Sequence, residues 1–282
     1  MKFIKDILKG IVIGVANAIP GVSGGTMMVS MGVYDDIIFC ITHLFKQLKE
    51  SIRILLPYFI GMVVGIVGLA FSIESMYSNF PLQTSMLFIG LILGGVPMLI
   101  KHVNSSKLSI GHIITFLIFF IAIIAMQYFG GNGTDVTLTV GFLPIIKIFF
   151  IGVLASATMV IPGVSGSMML MILGYYNPII NAITEFIKAL SAGDFNAVLT
   201  ICGSLVPFGL GVVIGIFAIA KLIEILLNKF ESYTYCAILG LVISSPIVIL
   251  MGTALSGITV VSVITGIIAL AVGTFAALQL GK

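Results

Sequence analysis

The chain has 282 residues, of which 60% are hydrophobic and only 8% are charged, and its net charge is +3. Because soluble domains carry about 25% charged residues, this composition predicts a protein embedded in a lipid bilayer and excludes a soluble enzyme. The sequence has no basic, aromatic-rich patch for nucleic acid. Its three cysteines and three histidines show no metal-binding spacing, so we expect neither a metal nor a cofactor.

The first predicted element is an apolar stretch that is broken in the middle. Residues 7–19 and 23–38 flank a turn with Pro20, which lacks an amide donor, and Gly24, which permits a sharp bend. As helices, the two arms would cover roughly 20–24 Å, which is less than the roughly 30 Å of a hydrocarbon core. We therefore expect a re-entrant helical hairpin over residues 7–38.

A polar connector and three long apolar runs follow this hairpin. The connector spans residues 39–51, and the runs predict transmembrane helices over 52–74, 83–100 and 111–129. Residues 1–140 are thus predicted to hold one hairpin and three spans.

The same order of elements begins again at residue 141. Residues 161–180 repeat residues 19–38 with 11 of 20 positions identical, and Gly211 and Gly215 match a Gly-x-x-x-Gly pair in the first half. The second repeat, residues 141–282, is predicted to contain a hairpin over 145–180 and spans over 197–223, 233–252 and 257–280.

The charge distribution predicts how the two repeats are oriented. Three spans per repeat is an odd number, so the second repeat must enter the membrane from the opposite side, as in many secondary transporters. With hairpins and a cytoplasmic N-terminus, 11 of the 13 Lys and Arg residues lie inside and only Lys147 and Lys188 lie outside, as the positive-inside rule favours. If each hairpin were instead a single kinked span, the basic residues would divide about evenly between the two sides of the membrane. Two short complete spans in place of each hairpin would give the same distribution of charges as the hairpin.

These observations together predict the fold class. It is an all-α integral membrane protein of two inverted-topology repeats, each a re-entrant helical hairpin plus three transmembrane helices, with both termini cytoplasmic.

The two Pro-Gly-Val-Ser-Gly turns at the hairpin tips are the predicted substrate site. A helix starts after each turn, with Ser23 and Ser165 at its N-cap, and the first amide groups of a helix have no intrahelical partner. Two such tips, one from each leaflet, would bind a phosphate or carboxylate. The alternative is that the small residues only allow close helix packing. The residues predicted to bind the phosphate are Asn17, Gly21, Ser23, Gly24, Gly25, Thr26, Thr158, Gly163, Ser165, Gly166 and Ser167.

Charged residues in or beside the apolar runs form a second set of candidates. Lys147 could meet an anionic headgroup from the outer leaflet and Arg53 one from the inner leaflet, and the alternative for both is simple anchoring at the interface. Glu74 and Glu224 align between the repeats and could hold a coupling proton or sodium ion. Glu224 could instead pair with Lys221 on one helix face, and snorkelling to the interface is the remaining alternative.

The chain lacks the motifs of membrane enzymes and of ATP-driven pumps. It has no Gly-x-Ser-x-Gly, His-Glu-x-x-His or Walker sequence. We therefore expect a transporter that is not an enzyme and that uses an ion gradient or substrate consumption for uphill transport. A soluble-anion transporter with a sealed central cavity, and a lipid-phosphate enzyme, are the alternatives.

The doubled turn carries a family resemblance. The blocks ANAIPGVSGGTM and ATMVIPGVSGSMM, with this length and layout, resemble the bacterial PopT family of polyprenyl-phosphate translocases over essentially the whole chain. The resemblance implies a flippase in the cytoplasmic membrane that returns undecaprenyl phosphate from the outer to the inner leaflet. There the lipid serves again as the carrier for cell-wall peptidoglycan. No established list of site residues comes with the resemblance.

Overall fold

Every regular element in the described part of the chain is an α-helix. The computed structural model describes residues 2–18, 22–104, 108–130, 133–139, 141–253 and 258–281. In chain order the helices are α1 Lys2–Ala18, α2 Gly24–Ser30, α3 Tyr34–Thr42, α4 Leu48–Asn79, α5 Pro81–Asn104, α6 Ile110–Phe129, α7 Phe142–Val160, α8 Gly166–Ile172, α9 Tyr176–Ala192, α10 Phe195–Lys229, α11 Glu231–Met251 and α12 Val260–Leu280. Helices α1–α6 fall in the first predicted repeat and α7–α12 in the second.

Seven of the described helices are long and apolar enough to cross a membrane. Six of them, α4, α5, α6, α10, α11 and α12, overlap the six predicted spans, so the chain is a multi-pass, all-helical membrane protein. The seventh is α7, whose 19 residues cover roughly 28 Å. It lies in the first arm of the hairpin predicted over 145–180 and is longer than the arms predicted for the first hairpin. The re-entrant hairpins and the inverted topology stay predictions.

The second arm of the first predicted hairpin is not one helix. Helix α2 ends at Ser30, and α3 starts at Tyr34 after a bend of 116°. Gly32 lies in this bend with φ +65°, and Gly174 lies at the matching point between α8 and α9 with φ +73°. A left-handed residue ends a helix, and glycine adopts that conformation without steric cost. The continuous arm predicted over 23–38 is therefore wrong.

Helices α4 and α10 extend well beyond the predicted spans 52–74 and 197–223. They contain 32 and 35 residues, or roughly 48 and 53 Å of helix, against a hydrocarbon core of roughly 30 Å. Each holds one internal proline, Pro57 or Pro207, which favours a kink. These two helices must tilt or project beyond the hydrocarbon region.

The helices pair in the same way in both halves. Helix α1 packs on α4 and α7 on α10, whereas α5 packs on α12 and α6 on α11, so the second and third spans exchange partners between the halves. Glycines allow this closeness. A Cβ on Gly61 would overlap α1, one on Gly211 would overlap α7, and one on Gly90 would overlap α12.

The interior of the molecule lies around α2, α5 and α11. About half of α5 and α11 is buried, whereas α6 and α12 expose most of their apolar surface, as expected of helices that face lipid. The largest buried cluster joins side chains of α1, α2 and α3 to those of α5 and α11. The short helix α2 is therefore enclosed by protein.

Candidate functional site

The start of α2, directly after the first Pro-Gly-Val-Ser-Gly turn, meets the second turn inside the molecule. The backbone amide of Gly163 in the second turn donates a hydrogen bond of 2.7 Å to the hydroxyl of Thr26, which follows the first turn. A Cβ built on Gly25 would lie 3.2 Å from the backbone of Ile161 and Pro162. Thr26 is completely buried. Segments 137 residues apart thus form one junction, at which the start of α2 contacts the second turn.

The first turn is held to the end of α1 by a side chain. The amide of Gly24 donates a hydrogen bond of 3.2 Å to Oδ1 of Asn17. A Cβ on Gly24 would overlap the Asn17 amide group. Glycine at this position therefore lets the start of α2 approach the last turn of α1.

Ser23 has hydrogen-bonding capacity that the described residues do not use. It occupies the N-cap position of α2 in an extended conformation, but its side chain makes no capping bond. Its Oγ is buried and has no hydrogen-bond partner among the described residues. Buried polar groups are nearly always paired, so this hydroxyl is available to a substrate or to water.

The polar side chains at the second turn already have hydrogen-bond partners. Ser165 is the N-cap of α8 without a capping bond, and its hydroxyl instead pairs with that of Ser167 at 2.9 Å. Thr158 donates to the carbonyl of Ala155 over 2.7 Å. A Cβ on Gly166 would meet Thr158 at only 3.3 Å. The polar residues predicted around this turn do lie together, but their hydroxyls already have partners: Ser165 and Ser167 bond to each other, and Thr158 bonds to the backbone of α7.

Backbone amides remain the main donors at the junction. The first intrahelical bond of α2 runs from the amide of Met27 to the carbonyl of Ser23, so no carbonyl of α2 reaches the amides of Gly25 and Thr26. Helices α2 and α8 have only seven residues each. The expected contribution of a helix macrodipole is therefore small. Any attraction of an anion to this site would come from individual N–H groups. Gly21, which belongs to the predicted site, lies outside the described residues.

Two predicted headgroup cations lie far from the junction. Gly10 of α1 faces Tyr58 of α4, and Gly14 faces Met62, so the two helices run in parallel. Arg53 is exposed and lies roughly 20 Å along this axis from the end of α1. Lys147 likewise lies roughly 20 Å along α7 from the second turn. Both cations are thus distant from the junction.

Lys147 borders a cavity that sequence reasoning did not reveal. The cavity has a volume of about 250 Å³, and Thr137, Thr139 and Tyr175 also line it. The Lys147 ammonium lies 5.7 Å from the centre of the Tyr175 ring, within the range of a cation–π contact. The segment 133–139 supplies the two threonines, and no periodicity in this segment signalled that it would fold back over α7.

The predicted charge pair is present, with a histidine beside it. Lys221 donates to Oε2 of Glu224 over 2.7 Å, and Nδ1 of His43 lies 3.6 Å from Oε1 of the same carboxylate. This cluster joins the end of α3 to α10. His43 was not predicted, because only the tertiary structure brings it to α10. The side chain of Glu74, the aligned acid, lies outside the described residues.

Fold and site together define a class of protein. It is a multi-pass, all-helical membrane protein in which the helix that follows one polar turn contacts a second, related turn from a distant part of the chain in the interior.

Comparison with known proteins identifies the family. Residues 13–265 match the VCA0040-like family model, described as undecaprenyl phosphate translocase-like, and the chain belongs to this family. The resemblance drawn from the doubled turn is thereby confirmed.

Two relatives with assigned names match over most of their length. A polyprenyl-phosphate transporter of Staphylococcus aureus (strain NCTC 8325 / PS 47) is 31% identical over 281 residues, covering 98% of this chain and 95% of that protein. A polyprenyl-phosphate transporter of Vibrio cholerae serotype O1 (strain ATCC 39315 / El Tor Inaba N16961) is 26% identical over 260 residues, covering 87% and 77%. No solved structure matches the chain.

Proposed function

We propose that the chain transports polyprenyl phosphate across the bacterial cytoplasmic membrane. In this proposal it returns undecaprenyl phosphate from the outer to the inner leaflet, where the lipid is reused as the cell-wall carrier. The family description and the names of both relatives support this substrate. Both relatives are named as transporters, which supports transport over enzymatic turnover.

The contact between the two turns is the observation that carries the mechanism. A phosphate crossing the membrane needs hydrogen-bond donors where water is scarce, because a charge is costly in a low-dielectric interior. The unpaired hydroxyl of Ser23 and the amides of Gly25 and Thr26 offer such donors without a fixed cation. The headgroup would bind here after the Thr26–Gly163 contact opens.

Burial of the junction fits transport by alternating exposure. Ser23 and Ser165 are 6% and 5% exposed, so the site is closed to both faces in this conformation. The long isoprenoid tail can remain in lipid while only the headgroup passes through protein. In the proposed inverted topology, with cytoplasmic termini, each hairpin would open the junction towards one side.

The outlying charges take supporting roles in this proposal. Lys147 and its cavity would receive the headgroup at the outer face, and Arg53 would meet it at the inner face. Glu224, with Lys221, and Glu74 would respond to a proton or sodium gradient. None of these residues needs to touch the phosphate at the junction.

Reconstitution tests the proposal. Purified protein in liposomes is supplied with fluorescent polyprenyl phosphate in one leaflet, and its arrival in the other leaflet is followed with and without proton or sodium gradients. We expect protein-dependent exchange that Ser23→Ala slows while the protein stays folded. Uptake of soluble phosphate without lipid exchange would replace the proposal with a soluble-anion transporter. Release of phosphate from the lipid would replace it with an enzyme.

A further inference from the structure

A second cavity lies at the junction of α2, α5 and α12. Its volume is about 380 Å³. Most of its wall is apolar, with Met98, Ala277 and Leu278 among the lining residues, and the exposed Lys101 and its neighbour His102 also line it. We call this cavity the α5–α12 groove. An apolar wall beside a lysine matches an amphiphile that has an anionic end.

The groove reaches the helix that starts at the first turn. Ser30, the last residue of α2, lines it, and its hydroxyl donates to the carbonyl of Ile92 over 3.3 Å. Ser23 at the other end of α2 is seven residues away, or roughly 10 Å along a helix. Only the length of this short helix separates the groove from the turn junction.

The corresponding face of the other half is covered. By the repeat alignment, Ile172 at the end of α8 corresponds to Ser30. There the segment 133–139 covers the end of α8. The amide of Gly133 donates to the carbonyl of Met171, and the amide of Val136 donates to the carbonyl of Gly174. The groove beside Ser30 is open, so the two faces of this conformation differ.

We infer that the α5–α12 groove is a binding site for the phosphate end of a polyprenyl phosphate at the face predicted to be cytoplasmic. The Lys101 ammonium contacts the phosphate, and Met98 and Leu278 contact the first isoprene units. The site holds the headgroup after it leaves the turn junction in the inward direction. This inference rests on the proposed function, because the ligand is the same lipid.

A tryptophan placed in the groove gives a direct binding signal, because the natural chain contains no tryptophan. Leu278→Trp puts one fluorophore in the groove, and Phe275→Trp puts a matched one on an exposed position of the same helix. Spin-labelled geranyl phosphate should quench the tryptophan at 278 saturably, and spin-labelled geraniol should not. Both ligands should quench the tryptophan at 275 equally and without saturation.

The lysine is tested in the Leu278→Trp protein. Lys101→Ala should raise the ligand concentration for half-maximal quenching by about fivefold, the effect expected for losing a partly exposed charge pair. Lys101→Arg should restore binding, and Lys49→Ala, which removes an exposed lysine on α4, should change nothing.

The outcomes separate this inference from the proposed function. Equal quenching at 278 and 275, or equal quenching by the phosphate and the alcohol, would overturn the groove site, even if the natural protein transports the lipid. An unchanged midpoint in Lys101→Ala would overturn the role of the lysine. Saturable, phosphate-dependent quenching at 278 without lipid exchange in liposomes would support the site and overturn the transport proposal.

Discussion

The two turns share the sequence Pro-Gly-Val-Ser-Gly but differ in how their polar groups are bonded. In the first turn Ser23 has no partner among the described residues. In the second turn Ser165 is paired with Ser167. The first turn therefore has a hydroxyl that the described residues leave unused, whereas the hydroxyls of the second turn bond to each other. Equal motifs need not have equal roles, because the neighbouring side chains decide which groups remain free.

If the second turn is mainly structural, distorting its backbone should have the largest effect on stability. Gly163 has φ +83°, and an added Cβ would lie 2.7 Å from the carbonyl oxygen of Leu241. We expect Gly163→Ala to lower the free energy of unfolding by about 3 kcal/mol, from left-handed strain plus overlap. Thermal unfolding in detergent measures this.

Gly193→Ala is the matched control for that prediction. Gly193 also has a positive φ, +71°, but nothing lies within 4 Å of an added Cβ, so only the backbone cost of about 1 kcal/mol applies. Equal losses of stability in the two variants would show that the second turn is not tightly packed.

The first turn should respond most strongly in transport. Gly24→Ala would overlap the Asn17 amide group and force it away from the Gly24 amide. We expect lipid exchange in liposomes to fall about tenfold, because the turn would lose its link to α1 and its donors would shift. Gly166→Ala is the counterpart at the second turn, where the nearest side-chain atom is 3.3 Å away, and should reduce exchange less than twofold. Equal losses would contradict the division of roles.

Removing one hydroxyl from each turn sharpens the comparison further. Ser23→Ala should leave stability unchanged or slightly higher, because it deletes a buried hydroxyl that has no partner among the described residues, while exchange slows about fivefold. Ser165→Ala should lower the free energy of unfolding by about 1 kcal/mol, the usual value of one hydrogen bond. It should have little effect on lipid exchange. Both are measured by unfolding and by lipid exchange. A loss of exchange in Ser165→Ala alone would assign the substrate to the second turn.

The smallest effect is expected away from both turns. Lys221→Gln removes the partner of Glu224, but Lys221 is half exposed, and exposed pairs contribute at most about 1 kcal/mol. We expect exchange without an ion gradient to remain unchanged and its response to a gradient to weaken. An unchanged response to proton and sodium gradients would remove this cluster from the coupling proposal.

Sequence reasoning located most of the spans because apolar length is a local property. Runs such as 111–129 and 233–252 are long enough to fill the hydrocarbon core, and α6 and α11 lie where these runs predict them. The same local reasoning missed the bend at Gly32, because a single glycine inside an apolar run does not show that its φ is positive. It also set α4 too short, since hydropathy marks where the apolar core ends and not where the helix ends.

The sequence by itself determined that this is a multi-pass helical membrane protein with a doubled polar turn, because hydropathy and internal repetition are written along the chain. Only the tertiary structure decided that Thr26 of α2 contacts Gly163 of the second turn, and that Ser23 stays unpaired among the described residues while Ser165 does not. The tertiary structure also decided that segment 133–139 covers the end of α8. These features depend on contacts between residues far apart in the chain, and such contacts are set by how the helices pack and not by any local pattern.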